Sequence, residues 1–160
     1  MKLQLVKFKC AKCEGQFKAP VIGFDSYGEF LLRSVGNAEE AYLDAIEDKT
    51  YQEVDALLKA NTRMVGKKPN VLADILRRTY GAIACDPDSA GNPFQIGVFP
   101  KCPFCDSQEI EYWEATEPPE FVEKALQSVT HVGWSTLSDA EKKAKVDEVL
   151  SLPCPASGTA

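Results

Sequence analysis

Hydrophobic and polar positions alternate on both sides of an early cysteine pair: Leu3, Leu5 and Phe8 precede it, and Phe17 to Phe24 follows it. A period of two predicts strands there. Ile110, Tyr112 and Trp113, interleaved with acids, predict another strand just after a second cysteine pair. Each pair is thus expected at the turn of a hairpin-like arm. Between the arms the pattern lengthens to a helical period. Asn37 with Glu40 has the form of a capping box, and Ala38, Tyr42, Ala45 and Ile46 follow on one stripe. Thr50 with Glu53 repeats the signal ahead of Tyr51, Val54, Leu57 and Leu58, a second helix ending near Asn61. Pro69-Asn70 starts a third through Val71, Leu72, Ile75, Leu76 and Tyr80, with Gly81 suited to its C-terminal cap. Asp86 to Pro93 reads as a loop. Beyond the second arm, Pro118-Pro119 predicts a helix with Phe121, Val122, Ala125, Leu126 and Val129 facing the core. Ser138 and Glu141 predict a last helix, to about Leu150.

These elements describe an α+β chain. A small antiparallel ribbon with arms 1–24 and 96–115 encloses a helical insertion, 25–95, and a C-terminal helical segment, 116–152, packs on it ahead of a tail, 153–160. The arms are also related to each other in sequence. Shifted by 92 positions, Val6 to Gln16 overlies Val98 to Gln108, with the Val, one Lys, both Cys and the Gln identical and Glu14 facing Asp106. Two Cys-x-x-Cys pairs in one repeated frame form a single pattern.

That pattern makes Cys10, Cys13, Cys102 and Cys105 candidate ligands of one structural zinc ion. A two-residue gap lets both sulfurs of a turn reach the same ion, and two such turns supply a tetrahedral set. Gly15 and Ser107 are expected to take the tight, positive-φ position after each pair. Iron bound by the same four thiolates satisfies the same spacing. A redox role for Cys102-Pro103-Phe104-Cys105 is disfavoured, because the sequence after it reads as strand and offers no helix N-terminus to lower a thiol pKa. The two turns, Lys9-Cys10-Ala11-Lys12-Cys13-Glu14-Gly15 and Lys101-Cys102-Pro103-Phe104-Cys105-Asp106-Ser107, resemble the knuckles of the zinc-ribbon superfamily. The resemblance implies a metal-binding scaffold and no particular activity. The sequence departs from a compact ribbon in the 88 residues between Cys13 and Cys102, so the ribbon is expected to clasp a helical body. Four protein thiolates leave a metal no open position for water, and catalysis at it is not expected.

Composition narrows the functional classes. A net charge of −6 over 160 residues argues against a protein whose main task is coating nucleic acid. The charge is uneven. Lys59, Arg63, Lys67, Lys68, Arg77 and Arg78 face only Asp74 between 59 and 78, whereas 106–123 carries seven acids and no cation. Six cysteines, four of them in metal spacing, and the lack of a signal peptide's apolar core point to a reducing compartment, the cytoplasm, and no membrane span is expected. His131, the only histidine, has no acid nearby in sequence and is expected to serve in a turn or in packing, with Trp134 and Leu137 packing the entry to the last helix. Asp86 to Gly91 has the acids of a calcium loop, but Ala90 removes a ligand and Gly97 replaces the closing Glu. Cys85 is expected to be a small buried residue and Cys154 to lie in the tail, the two able to pair only under oxidising conditions. No catalytic constellation stands out. The expectation is a non-catalytic protein-interaction or assembly module with a protein partner, such as a phage structural component in a virion or an immunity-type inhibitor. The alternative is a nucleic-acid-binding accessory factor using the ribbon lysines and the stretch 59–78.

Overall fold

A computed structural model describes residues 1–153. Among them the chain forms seven strands and four helices, the strands antiparallel and divided between two open sheets. Cys154 and the rest of the predicted tail lie outside the described residues.

The ribbon sheet is built on β1 (Lys2–Cys10), which β2 (Gln16–Val21) flanks on one side, pairing Lys9 with Gln16 and Gln4 with Val21. On the other side β6 (Ile110–Ala115) pairs along Val6 to Cys10, and β7 (Phe121–Glu123) along Lys2 to Gln4. The alternation in β1 puts Val6, Phe8 and Cys10 on one buried face, where Ala19, Phe17, Phe99 and Ile110 join a small core. The opposite face carries Lys7, paired across the sheet with Lys18 and Glu114.

The body holds the larger core. β3 (Glu29–Ser34) lies between β4 (Glu40–Asp44) and the short β5 (Phe94–Ile96). Helices α1 (Lys49–Ala60), α2 (Pro69–Ala84), α3 (Val132–Ser135) and α4 (Asp139–Ser151) cover that sheet. Leu32, Leu43, Val54, Leu58, Tyr80 and Val146 are all but fully buried among them. The Ser138 capping box forms as expected, its hydroxyl accepting from the Glu141 N–H and Glu141 reaching back to the Ser138 N–H. Trp134 and Leu137 pack at the entry to α4.

Several expected helices are corrected. Ala38 to Ile46 contains β4 in place of a helix: Ala41 and Leu43 are its buried positions, and Tyr42 bonds outward to Glu29. The supposed cap, Asn37, accepts instead from the Glu39 N–H in a hairpin turn. Thr50 lies inside α1, whose cap is Asp48, accepting from Tyr51. The third helix runs past Gly81 to Ala84; Gly81 is there because a Cβ would stand 1.7 Å from the Phe94 carbonyl oxygen of β5. Phe121 to Val129 is extended, first as β7 against β1 and then beside β4, where Tyr42 donates to Gln127 and accepts from Val129. The stretch 25–95 thus includes a sheet as well as helices, and 116–152 begins with a strand.

Candidate metal centre

The two cysteine turns have the same backbone. In the first, the Cys10 N–H donates to the Gly15 carbonyl (2.9 Å) and the Glu14 N–H to the Cys10 carbonyl (3.1 Å). In the second, Cys102 donates to Ser107 (2.8 Å) and Asp106 to Cys102 (2.8 Å). The left-handed residues are Glu14 (φ 61°) and Asp106 (φ 63°), again 92 positions apart. The expectation that Gly15 and Ser107 hold this conformation is corrected by one position. The chain reverses immediately after the second cysteine, which brings the next carbonyl back to the first cysteine's N–H. Gly15 has a different role, since a Cβ on it would stand 2.5 Å from the ring of Phe104 in the opposite turn.

The turns face each other, so that Cys10 Sγ lies 3.5 Å from Cys105 Sγ and Cys13 Sγ 3.6 Å from Cys102 Sγ. All four sulfurs fall within 4.8 Å of one another, close enough for a single ion to touch all of them. Cys10 and Cys102 are buried at the base, while Cys13 is exposed at the rim. Backbone N–H groups point at the sulfurs: those of Cys13 and Lys12 draw the Cys10 thiol down to about 7, against its burial. The Ser107 N–H acts in the same sense on Cys105, but burial and the other three sulfurs push that thiol up to about 12. Cys13 is likewise raised, the pull of the Gly15 N–H being outweighed by burial and by Cys102 and Cys10. The thiolate is thus favoured at Cys10 and opposed at Cys13 and Cys105 by burial and by the neighbouring sulfurs.

One residue that sequence reasoning passed over seats both turns on the body. Arg33, in β3, is largely covered; its Nη2 donates to the Pro20 carbonyl of β2 (2.7 Å) and its Nη1 to the Val98 carbonyl leading into the second turn (2.9 Å). Its Nε pairs with Glu40 of β4 at 3.2 Å. Burial lowers its pKa and Glu40 opposes that. A lone Arg inside Phe30-Leu31-Leu32-Arg33-Ser34 was the available signal.

The remaining candidates resolve into structural parts. His131 has acids close in space, though not in sequence: its Nε2 lies 2.8 Å from Asp48, its Nδ1 donates to the Ala84 carbonyl (2.8 Å), and Tyr80 Oη is 3.2 Å away. With both ring nitrogens engaged, it ties the start of α1 to the end of α2 and the start of α3. Asp86 accepts from the Val132 and Gly133 N–H groups beside it. Burial pushes the Cys85 thiol well above its usual range, with Asp48 and Asp86 adding to the effect, so it is held neutral. Asp88 is buried and accepts from Ser34 and the N–H groups of Ala90 and Asn92, which makes 86–93 a self-bonded loop. In the basic stretch, Lys59, Arg63 and Arg77 pair with Asp55, Asp147 and Asp74, leaving Lys67, Lys68 and Arg78 without an ion pair among the described residues. No helix among the described residues is long and apolar enough to cross a membrane.

No family model matches the chain, and neither a curated protein nor a solved structure matches it.

Proposed function

We propose that the chain binds one zinc ion through Cys10, Cys13, Cys102 and Cys105 in a zinc-ribbon-like site, and acts as a non-catalytic protein-interaction or assembly module. The observation that carries the metal reading is the pair of equivalent turns converging on four sulfurs within 4.8 Å. Zinc–sulfur bonds of about 2.3 Å in a tetrahedron place sulfurs roughly 3.8 Å apart, so small adjustments of the 3.5 and 3.6 Å pairs seat the ion. The N–H groups aimed at the sulfurs would stabilise the thiolates, and four protein ligands would close the coordination sphere. The interaction reading is supported by the ribbon's surface, where Phe24, Phe104, Tyr112, Trp113 and Phe121 are all exposed, the residue types that anchor interfaces.

Elemental analysis of the purified chain should give one zinc per protein, and Cys102→Ser should abolish it while Cys85→Ser does not. A coloured, iron-loaded protein would replace zinc with iron in the same ligand set. A full-length chain that stays monomeric and binds no protein, yet is retained on DNA or RNA in a salt-dependent way lost on reversing Lys67 and Lys68, would transfer the function to nucleic-acid binding.

A further inference from the structure

The free edge of the ribbon sheet carries an unusual combination of backbone, charge and aromatic surface. β6 is hydrogen-bonded to β1 on one side, and among the described residues no strand pairs with its other side. An open edge of this kind presents a row of unused N–H and C=O groups. The register fixes the two faces of the strand. Trp113 lies opposite Phe8 on the apolar inner face, whereas Glu114 lies opposite Lys7 and Tyr112 opposite Lys9 on the outer face.

The inner face continues into an apolar groove of about 360 Å³ between the ribbon and the body, lined by Val6, Phe8, Phe24, Ile96, Phe99 and Trp113 among others. Phe24 and Trp113 stack there with centroids 5.9 Å apart, and both remain substantially exposed, at 60% and 43%. Trp113 therefore belongs to the edge through its backbone and to the groove through its ring. Glu111 is paired with Lys9 at 3.0 Å, while Glu114 on the outer face, and Glu109 and Glu117 flanking the strand, have no ion pair among the described residues.

We propose that β6 is the docking edge for an extended, basic segment of a partner protein, added beside it as a further strand. This rests on the interaction-module reading and names the partner's chemistry. Side chains alternate along a strand, so the segment should place apolar residues against Trp113 and the groove, and Lys or Arg over Tyr112 and against Glu114. A second copy of this chain does not fit the edge. Bringing two β6 edges together would crowd the acids of 106–123, a stretch with no cation, against the same acids of the other copy, and like charges close across a strand pair are destabilising. The acids thus repel a self-match and select a cationic one.

The test uses the full, zinc-loaded chain and a peptide of β6's length alternating Lys and Val. Zinc content and an amide NMR spectrum of the same sample are recorded first, so that failure of the metal and module reading is detected separately. The peptide should shift and protect the amides of Ile110 to Ala115 and perturb the Trp113 indole, leaving the buried Trp134 unmoved. Glu114→Lys should weaken it by about tenfold. A peptide N-methylated at alternate residues, unable to extend the ladder, should lose the binding. If the folded, zinc-bound chain shows no change at β6 under saturating peptide, or binds the N-methylated peptide equally well, the edge proposal is overturned and the module reading stands without it.

Discussion

Arg33→Met tests whether the ribbon is seated on the body through one side chain. Methionine fills much of the same space, so packing changes little and the loss falls on the guanidinium's bonds. Three are removed: to Glu40 at 3.2 Å, to the Val98 carbonyl at 2.9 Å and to the Pro20 carbonyl at 2.7 Å. Glu40 keeps its bond to Lys124, which limits the cost of leaving that carboxylate behind. The two carbonyls belong to half-buried residues and lose this donor; a fully buried acceptor left unsatisfied costs about 1–3 kcal/mol, and partial access to water puts these at the lower end. Together with the broken buried pair the expected loss is about 3–5 kcal/mol, a large share of the 5–15 kcal/mol typical of a domain. Urea unfolding followed by circular dichroism reads the body, and metal release to a chromophoric chelator reads the ribbon. In the wild type the two transitions should coincide. In Arg33→Met metal release should move to lower urea than helix loss, because the arms detach first. An unchanged midpoint for both signals would refute the reasoning, and a lowered helix midpoint with metal release still coincident would confine Arg33 to the body.

Gly81→Ala sets helix propensity, which favours Ala by about 1 kcal/mol, against a Cβ 1.7 Å from the Phe94 oxygen. Overpacking should win by about 2 kcal/mol, lowering the melting temperature by roughly 4–8 °C, and a variant at least as stable as wild type would show that β5 yields freely. His131→Ala leaves the Ala84 carbonyl without its side-chain donor and removes the ring's contact with Asp48, which keeps the Tyr51 N–H, and should cost about 1–3 kcal/mol in urea unfolding; a change below about 0.5 kcal/mol would remove it from the junction of α1, α2 and α3. Asp88 is held at about 2 by the Ser34 hydroxyl and the Asn92 and Ala90 N–H groups, which outweigh its burial. A carboxyl whose folded pKa is depressed contributes stability that is present above its unfolded value and lost as pH falls through the folded one. The wild type should therefore weaken between about pH 4 and pH 2, and Asp88→Asn should flatten that part of the stability profile.

The candidate site was legible because its determinants are local. A Cys-x-x-Cys turn is closed by its own backbone bonds, and the repeat at 92 positions reappears in the hydrogen bonds and in the φ of Glu14 and Asp106. The α4 box, Ser138 with Glu141, was readable for the same reason. The misread segments were those whose partner is remote. Ala38, Tyr42, Ala45 and Ile46 do recur at helical spacing, but Ala41 and Leu43 alternate within the same stretch, and β3 supplies the ladder that decides between them. Phe121 to Glu123 becomes a strand only because Lys2 to Gln4 is waiting beside it. Gly81 looked like a helix stop, and its reason is the approach of β5. His131 was expected in a turn or in packing, but its partners and those of Arg33 could not be named from sequence, since Pro20, Val98 and Asp48 come from separate parts of the chain.

The convergence of the two turns also sets an order in time. Cys10 and Cys13 are both made before the 88 residues that separate Cys13 from Cys102, an interval of roughly 5–20 seconds at ordinary elongation rates. Throughout it the first turn is a two-thiol half-site, and β1 has only β2 beside it. The segments that become β3, β4, α1 and α2 all emerge before the second turn exists to close over them. The four-sulfur cluster thus cannot be completed until the body's sheet and its first two helices have been made, and a metal held there would report that the two arms of the ribbon have met.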